Sequence, residues 1–474
     1  MKDDIKHILR YGTNADQKYI EKLKKTFSTL AINGNMIAYT PEAIAGFVSN
    51  LIWEKGHVTG YFIDPITHAF QHDVKTIMSY SKKTEKLGIK ESIVNLINYY
   101  GDPLISSVLN NSTPITPKDF ADSLVKTEFC KNVLDFQLST IPRQLNEKGL
   151  TKYINYMDNG AELFSLLRPC FVIPPYFYID KSDENYREWL KLNVEFIKIS
   201  KKLLPDTELY AQLVISKEIL ESDDSINEIC NQYINELPDG ILLWIDDFDE
   251  HKVDTDLLIG YLKLIKKLYD SNIKIYNLYG SFFSVMLTGF EKELGLKLSG
   301  VGHALDYGES RAVVPVGGGI PTNKYYYYPL HHRLEYKKAS SLLKSLGYFT
   351  KDTRIGAEMY KNTLCGCRAC VDAIADNINN FTKFENTEFY EVILKGIKQR
   401  RTYANQDTKG LCILHYQYNK QKEFNKVKTK SYSIILDEIG SIYNQYSKFK
   451  DLIPETLSSL YNWSNSLIRW NKEV

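Results

Sequence analysis

The chain lacks any run of 18 uninterrupted apolar residues, the least a helical membrane span needs, so its 43% apolar content is available for a packed interior. It also lacks a basic opening segment followed by an apolar run, and the expectation is a cytoplasmic protein. The seven cysteines are too scattered for a disulfide framework, with Cys130, Cys170, Cys230 and Cys412 standing alone, which agrees with a reducing compartment. Charge of one sign is missing as well. The 59 Lys and Arg against 58 Asp and Glu leave a net charge of +1 and exclude a globally polybasic or polyacidic chain. No glycine-rich phosphate loop follows an early strand, because VGGGIP (Val316 to Pro321) comes late and is not followed by a helical pattern.

What is present points to a large α/β protein. A length of 474 residues suits one large domain with an appendage. The opening thirty residues, through KYIEKLKKTF, read as an amphipathic helix. Short apolar runs then alternate with helical stretches: GYFID (Gly60 to Asp64), CFVIPPYFYI (Cys170 to Ile179), LYAQLVI (Leu209 to Ile215), GILLWID (Gly240 to Asp246), IKIYNLY (Ile273 to Tyr279) and LSGVGHAL (Leu298 to Leu305). Strands that are apolar nearly throughout belong in a parallel sheet covered by helices, and the expected fold is a (β/α)8 TIM barrel, with an open doubly wound sheet as the alternative. The expected organisation is an N-terminal helical extension over 1–50, the barrel over 51–350, a zinc-binding subdomain over 351–430 and a C-terminal helical segment over 431–474.

Polar residues cluster at the ends of these runs. Asp64 ends GYFID, while GILLWIDDFDE delivers Asp246, Asp247 and Asp249. LYAQLVI carries Gln212, and LSGVGHALDYGESR carries His303, Asp306, Glu309 and Arg311. In a barrel, side chains at the C-terminal ends of strands converge on one mouth, so these positions suit a site built on carboxylates. Asp247 and Asp249 also read as helix N-caps.

Three cysteines within six positions, CGCRAC (Cys365, Cys367, Cys370), exceed what a disulfide or a single nucleophile needs. Zinc takes Cys and His tetrahedrally, and the histidine downstream is His415, with Cys412 as the competing ligand. The expected site is Cys365, Cys367, Cys370 and His415 around a structural Zn2+. From Lys383 to Lys430, lysine and arginine outnumber acids roughly two to one. Such an excess suits either a solvated helical face or contact with phosphates.

The C-x-C-x-x-C cluster, the later histidine in LHYQYNKQKEF and the barrel-like alternation together resemble the tRNA-guanine transglycosylase superfamily. FIDPITHAF, WIDDFDE, SGVGHALDYGESR and VVPVGGGIPTNKYYYYPLHHRL are most similar to its DNA-modifying branch, which exchanges guanine in DNA for a 7-deazaguanine. The likeness covers about Gly60 to Phe424. The chain departs from the tRNA enzymes in lacking the D-S-G-G-F loop, the base-reading Asp of a middle strand and the D-C-V-x-P-T-R motif.

The resemblance implies Asp64 as general acid/base and Asp306 as nucleophile, with His303 or Glu309 as alternatives for the latter position. Asp246 and Asp247 are implied in proton handling or base binding, and Gln212 in a hydrogen bond to the base. Tyr176, Phe177 and the run Tyr325 to Tyr328, beside His331, His332 and Arg333, are implied in stacking on a nucleotide turned out of its helix. Lys420 to Lys430 would track phosphates. The implied partners are DNA and a free 7-deazapurine such as preQ0, with a helper protein or a second copy left open. tRNA as the polymer, or a silent nucleic-acid binder, are the alternatives.

Overall fold

The apolar runs form strands of one parallel sheet in a computed structural model that describes residues 6–23, 25–53, 58–81, 86–147, 167–306, 308–314, 323–385, 387–394, 397–403 and 405–473. In chain order the strands are β1 (Lys6–Tyr11), β2 (Thr29–Asn33), β3 (Gly60–Asp64), the hairpin β4 (Met78–Ser81) and β5 (Lys86–Ile89), β6 (Tyr210–Ile215), β7 (Gly240–Ile245), β8 (Lys274–Asn277) and β9 (Gly300–Ala304). Two further hairpins follow, β10 (Tyr325–Tyr327) with β11 (His332–Leu334), and β12 (Glu388–Leu394) with β13 (Ile397–Tyr403). Seven strands make the main sheet in the order β3-β2-β1-β9-β8-β7-β6, parallel at every pairing. The glycine cluster at 316–321 lies outside the described residues.

The N-terminal reading needs correction. Residues 6–33 are not one amphipathic helix but β1, a short helix Gln17–Leu23 and β2. KHILRY hides as a strand because charges flank its apolar pair, yet it lies at the centre of the sheet, where Leu9 pairs with Leu30 on one side and with His303 on the other.

Alternation along the strands divides the core into an inner and an outer layer. Ile8, Ala31, Phe62, Tyr210, Val214, Leu242, Trp244 and Tyr276 gather in one buried cluster on the concave face of the sheet, while Leu9, Leu30, Ile63, Leu213 and Leu243 join two larger clusters with the surrounding helices. Both faces of β6 and β7 are buried, which is why their sequences show no polar alternation.

Cys170–Ile179 was expected as a strand, but it pairs only at its ends. Val172 bridges to Leu209 and Ile179 to Ile215 of β6, and the Cys170 N–H donates to the Tyr61 carbonyl of β3 at 2.8 Å. Pro174 and Pro175 supply no N–H and interrupt a ladder. Side chains replace it. Gln137, Thr67, Asn193 and Gln71 each engage both the N–H and the carbonyl of Ile173, Tyr176, Phe177 and Tyr178 respectively, at 2.6–3.0 Å. Glycine at position 60 admits the contact with β3, since a Cβ there would sit 2.2 Å from Cys170 Sγ.

Candidate active site and metal centre

Asp64, the last residue of β3, is 1% exposed and faces the concave side of the sheet at the C-terminal ends of its strands. Its Oδ1 accepts from the Tyr176 hydroxyl at 2.6 Å and from the Ile66 N–H at 3.0 Å, and its Oδ2 lies 3.6 Å from the Arg10 guanidinium. Contacts continue around the mouth. Tyr176 Oη meets His68 Nδ1 at 2.9 Å, and the His68 ring packs edge-on against Trp244 at 5.1 Å. Trp244 Nε1 donates to the Arg311 carbonyl at 2.9 Å, and Arg311 Nη1 donates to the Tyr279 hydroxyl at 3.0 Å. Arg10 lies over the Tyr279 ring at 4.4 Å and closes the circuit at Asp64.

The chemistry of this ring is one carboxylate, two guanidinium groups and four flat side chains. Burial pushes the His68 imidazole well below its usual value, with Arg311 and Arg10 among the charges that add to the effect, so His68 is neutral at pH 7. Burial and the Asp64 charge push the Tyr176 phenol up, so it serves as a donor. Asp246 borders the ring: its Oδ2 accepts from the Tyr178 hydroxyl at 2.8 Å and its Oδ1 from the Val313 N–H at 2.6 Å. Arg311 to Val313 therefore strap the mouth, held from β7 and its following residues.

The other expected site residues lie elsewhere. Gln212 is the third residue of β6 rather than a strand end; it is 1% exposed, and neither its amide oxygen nor its nitrogen has a hydrogen-bond partner among the described residues. It shares the inward parity of Tyr210 and Val214, below the mouth. Phe177 points the opposite way, into the helices with Phe120 at 5.6 Å and Trp189 at 4.6 Å, so it offers no stacking face. The Asp247 carboxylate is exposed and 4.0 Å from Lys217, turned outward by a backbone φ of 46°. Tyr325, Tyr326 and Tyr327 are all under 2% exposed and serve the core, while Tyr328 is half-buried with Lys422 over its ring at 4.1 Å.

His303, Asp306 and Glu309 belong to a second buried group, beneath the helix Gln406–Thr429. His303 packs on His7 and Phe424, turned away from the concave face. Asp306 Oδ1 lies 3.6 Å from Arg333, which stacks on Tyr416, and burial pushes the Asp306 carboxyl up against the opposing pull of Arg333 and Lys409. Glu309 Oε1 pairs with Lys420 Nζ at 2.5 Å, and Lys420 also pairs with Glu423 at 3.0 Å. Glu423 accepts from the Tyr326 hydroxyl and meets His331 Nδ1 at 2.6 Å. Lys420 is wholly buried, so it cannot track phosphates.

The same helix carries His415, and here the expected ligand set converges. The Sγ atoms of Cys365, Cys367 and Cys370 lie 3.7, 3.5 and 3.0 Å from His415 Nδ1, and all four donor atoms fall within 4.8 Å of one another. A tetrahedron built on Zn–S of about 2.3 Å and Zn–N of about 2.0 Å has S···N edges of about 3.5 Å, so the donor set fits zinc in size and chemistry. His415 Nε2 meets the Tyr326 carbonyl at 2.7 Å, which fixes the tautomer and turns Nδ1 to the sulfurs. Burial opposes a charged His415, but the Cys365 charge outweighs it and holds the imidazole up at about 10, so a zinc ion would displace the Nδ1 proton to use that nitrogen as its ligand. Cys412 stays outside the cluster, buried, its thiol pushed up by burial.

Comparison with family models, curated proteins and solved structures finds no match to this chain. Its function therefore rests on the geometry. Arg10, His68, Trp244 and Tyr279 build the mouth, yet none was expected from sequence. His68 lies in FIDPITHAF, two residues past the proline turn, and Arg10 shares its alternation with inward Ile8; those were the available signals.

Proposed function

We propose that this protein is a zinc-containing transglycosylase that exchanges guanine in DNA for a 7-deazaguanine base. The observation that carries the reading is Asp64: a buried carboxylate at a strand end, flanked by a phenol donor, a guanidinium and flat aromatic side chains. In this reading Cys170–Ile179 counts as the remaining stave of a (β/α)8 barrel, its ladder replaced by side-chain bonds. Cys365, Cys367, Cys370 and His415 would hold the zinc, which in a closed four-ligand set supplies structure and leaves chemistry to the carboxylates.

The exchange is a double displacement at C1′. A carboxylate oxygen bonds to C1′ as the C1′–N9 bond of guanine breaks, and the departing purine takes its electron pair together with a proton from Asp64, which enters this step as the neutral carboxylic acid rather than as the ion that faces Arg10. The incoming base then attacks C1′ through N9 and surrenders its N9 proton to Asp64, while the C1′–carboxylate bond breaks. Asp246 borders the ring and is the carboxylate placed for the attack, whereas Asp306, which the resemblance implies as nucleophile, lies in the second buried group against Arg333. For a nucleotide of a duplex to reach Asp64 it has to leave the base stack.

The test is retention of radiolabelled guanine in duplex DNA, single-stranded DNA or tRNA. Label in DNA that vanishes in Asp64→Ala is the expected result; label confined to tRNA, or none in any polymer, overturns the proposal. A covalent protein–DNA adduct that persists in Asp306→Asn and disappears in Asp246→Asn assigns the attack to Asp246, and the reverse assigns it to Asp306.

A further inference from the structure

At the end of the sheet opposite Asp64, a cavity of about 670 Å³ opens beneath the starts of β1, β8 and β9 and beside the C-terminal half of the metal helix. Five lysines line it: Lys6, Lys25, Lys274, Lys297 and Lys428. The carboxylate among the lining residues, Glu291, is already engaged by Lys297 at 3.2 Å and by the Tyr269 hydroxyl at 2.6 Å. Lys6, Lys25, Lys274 and Lys428 have no carboxylate within ion-pair distance among the described residues. His7 also lines the cavity, but burial lowers its imidazole to about 4, so the positive charge at pH 7 is that of the lysines.

We infer that this cavity is a binding site for phosphate groups, separate from the mouth. Its lysines come from three regions distant in sequence, 6–25, 274–297 and 428, so their convergence is a product of the fold rather than of one basic segment. A concave wall of one sign focuses its field on small anions, and lysine ammonium groups bind phosphate as point charges without demanding one orientation. Serine and threonine hydroxyls on the rim offer little competition for this role, since Ser28 and Thr59 already donate to main-chain carbonyls. The phosphates belong either to a small free compound or to a nucleic-acid backbone, and the two sources are separable.

The probes are inorganic pyrophosphate, followed by calorimetry, and a fluorescein-labelled single-stranded DNA, followed by anisotropy across a salt series. Each is measured on the zinc-loaded full chain, on Lys25→Gln/Lys274→Gln/Lys428→Gln, and on a control triple at exposed lysines elsewhere, Lys118→Gln/Lys191→Gln/Lys198→Gln. The expected result is at least a tenfold loss of affinity in the first triple, with the control within about twofold. For the DNA, the slope of log K against log salt should also fall by about 2 to 3. A loss seen with pyrophosphate alone assigns the site to a free phosphate compound, and a loss seen with DNA assigns it to the polymer. Equal losses in both triples, or no binding of either probe by the wild type, overturn the inference.

Discussion

Asp64 and Arg10 are each nearly sealed from water, and neither charge keeps its company if the other is cut away. Asp64→Ala leaves a guanidinium buried without its carboxylate and should lower stability by about 3 kcal/mol, read from urea unfolding midpoints. Tyr176→Phe removes the hydroxyl's hydrogen bonds to Asp64 and His68 and keeps the ring, with an expected cost of about 2 kcal/mol. Buried histidines set the response to acid. Burial holds His7 and His331 down at about 4, against an ordinary value near 6.5. The unfolded chain therefore binds protons first as pH falls, so stability should be level above pH 6.5 and decline between 6.5 and 4, by up to about 3 kcal/mol for each histidine. Unfolding midpoints across pH 4 to 8 check this, and His7→Gln should flatten the slope.

The helix Gln406–Thr429 is the element through which the candidate metal site, buried charge and sheet meet. Its hydrophobic pattern is weak because it is buried on several sides by polar as well as apolar residues, among them His415, Gln417, Asn419, Lys420 and Glu423. Lys420→Met should destabilise by about 3 to 5 kcal/mol, because Glu309 and Glu423 both lose their cation, and adding Glu309→Gln should restore part of the loss. Elemental analysis should find one zinc per chain, lost in Cys370→Ser, with faster hydrogen exchange along 406–429 as the structural readout.

This helix also shows what sequence could and could not convey. The cysteine spacing and His415 were legible because ligation demands residue types that nothing else explains. The Lys420 to Lys430 stretch was misleading, since a lysine that folds inward onto two glutamates reads the same as one that faces water. The main-sheet strands from Gly60 to Ala304 were legible as apolar runs, within two residues at their ends, whereas KHILRY, TLAIN and the hairpin β4–β5 were not, and Cys170–Ile179 read as a strand although it pairs only through isolated bridges. The tyrosine run read equally as core or as stacking surface; only packing could decide, and it put Tyr325 to Tyr327 in the core and left Tyr328 half-buried.

At the scale of the whole molecule, the sheet order puts β1 and β9 side by side in the middle, with β2 and β3 on one flank and β6 to β8 on the other. The two halves meet there through Lys6↔Gly300 to Arg10↔Ala304, so the N-terminal residues are a central seam and not an extension. Removing residues 1–11 should leave an insoluble chain, whereas removing the same length from the C-terminus shortens one outer helix and should leave soluble protein with a lowered melting temperature; expression of both truncations checks this. The seam also has a consequence in time. On a ribosome adding about 5 to 20 residues per second, β1 leaves the exit tunnel roughly 15 to 60 seconds before β9 can join it. Throughout that interval the β1 edge that β9 will occupy has no partner strand, and the sheet can be completed only after residue 304 has been made.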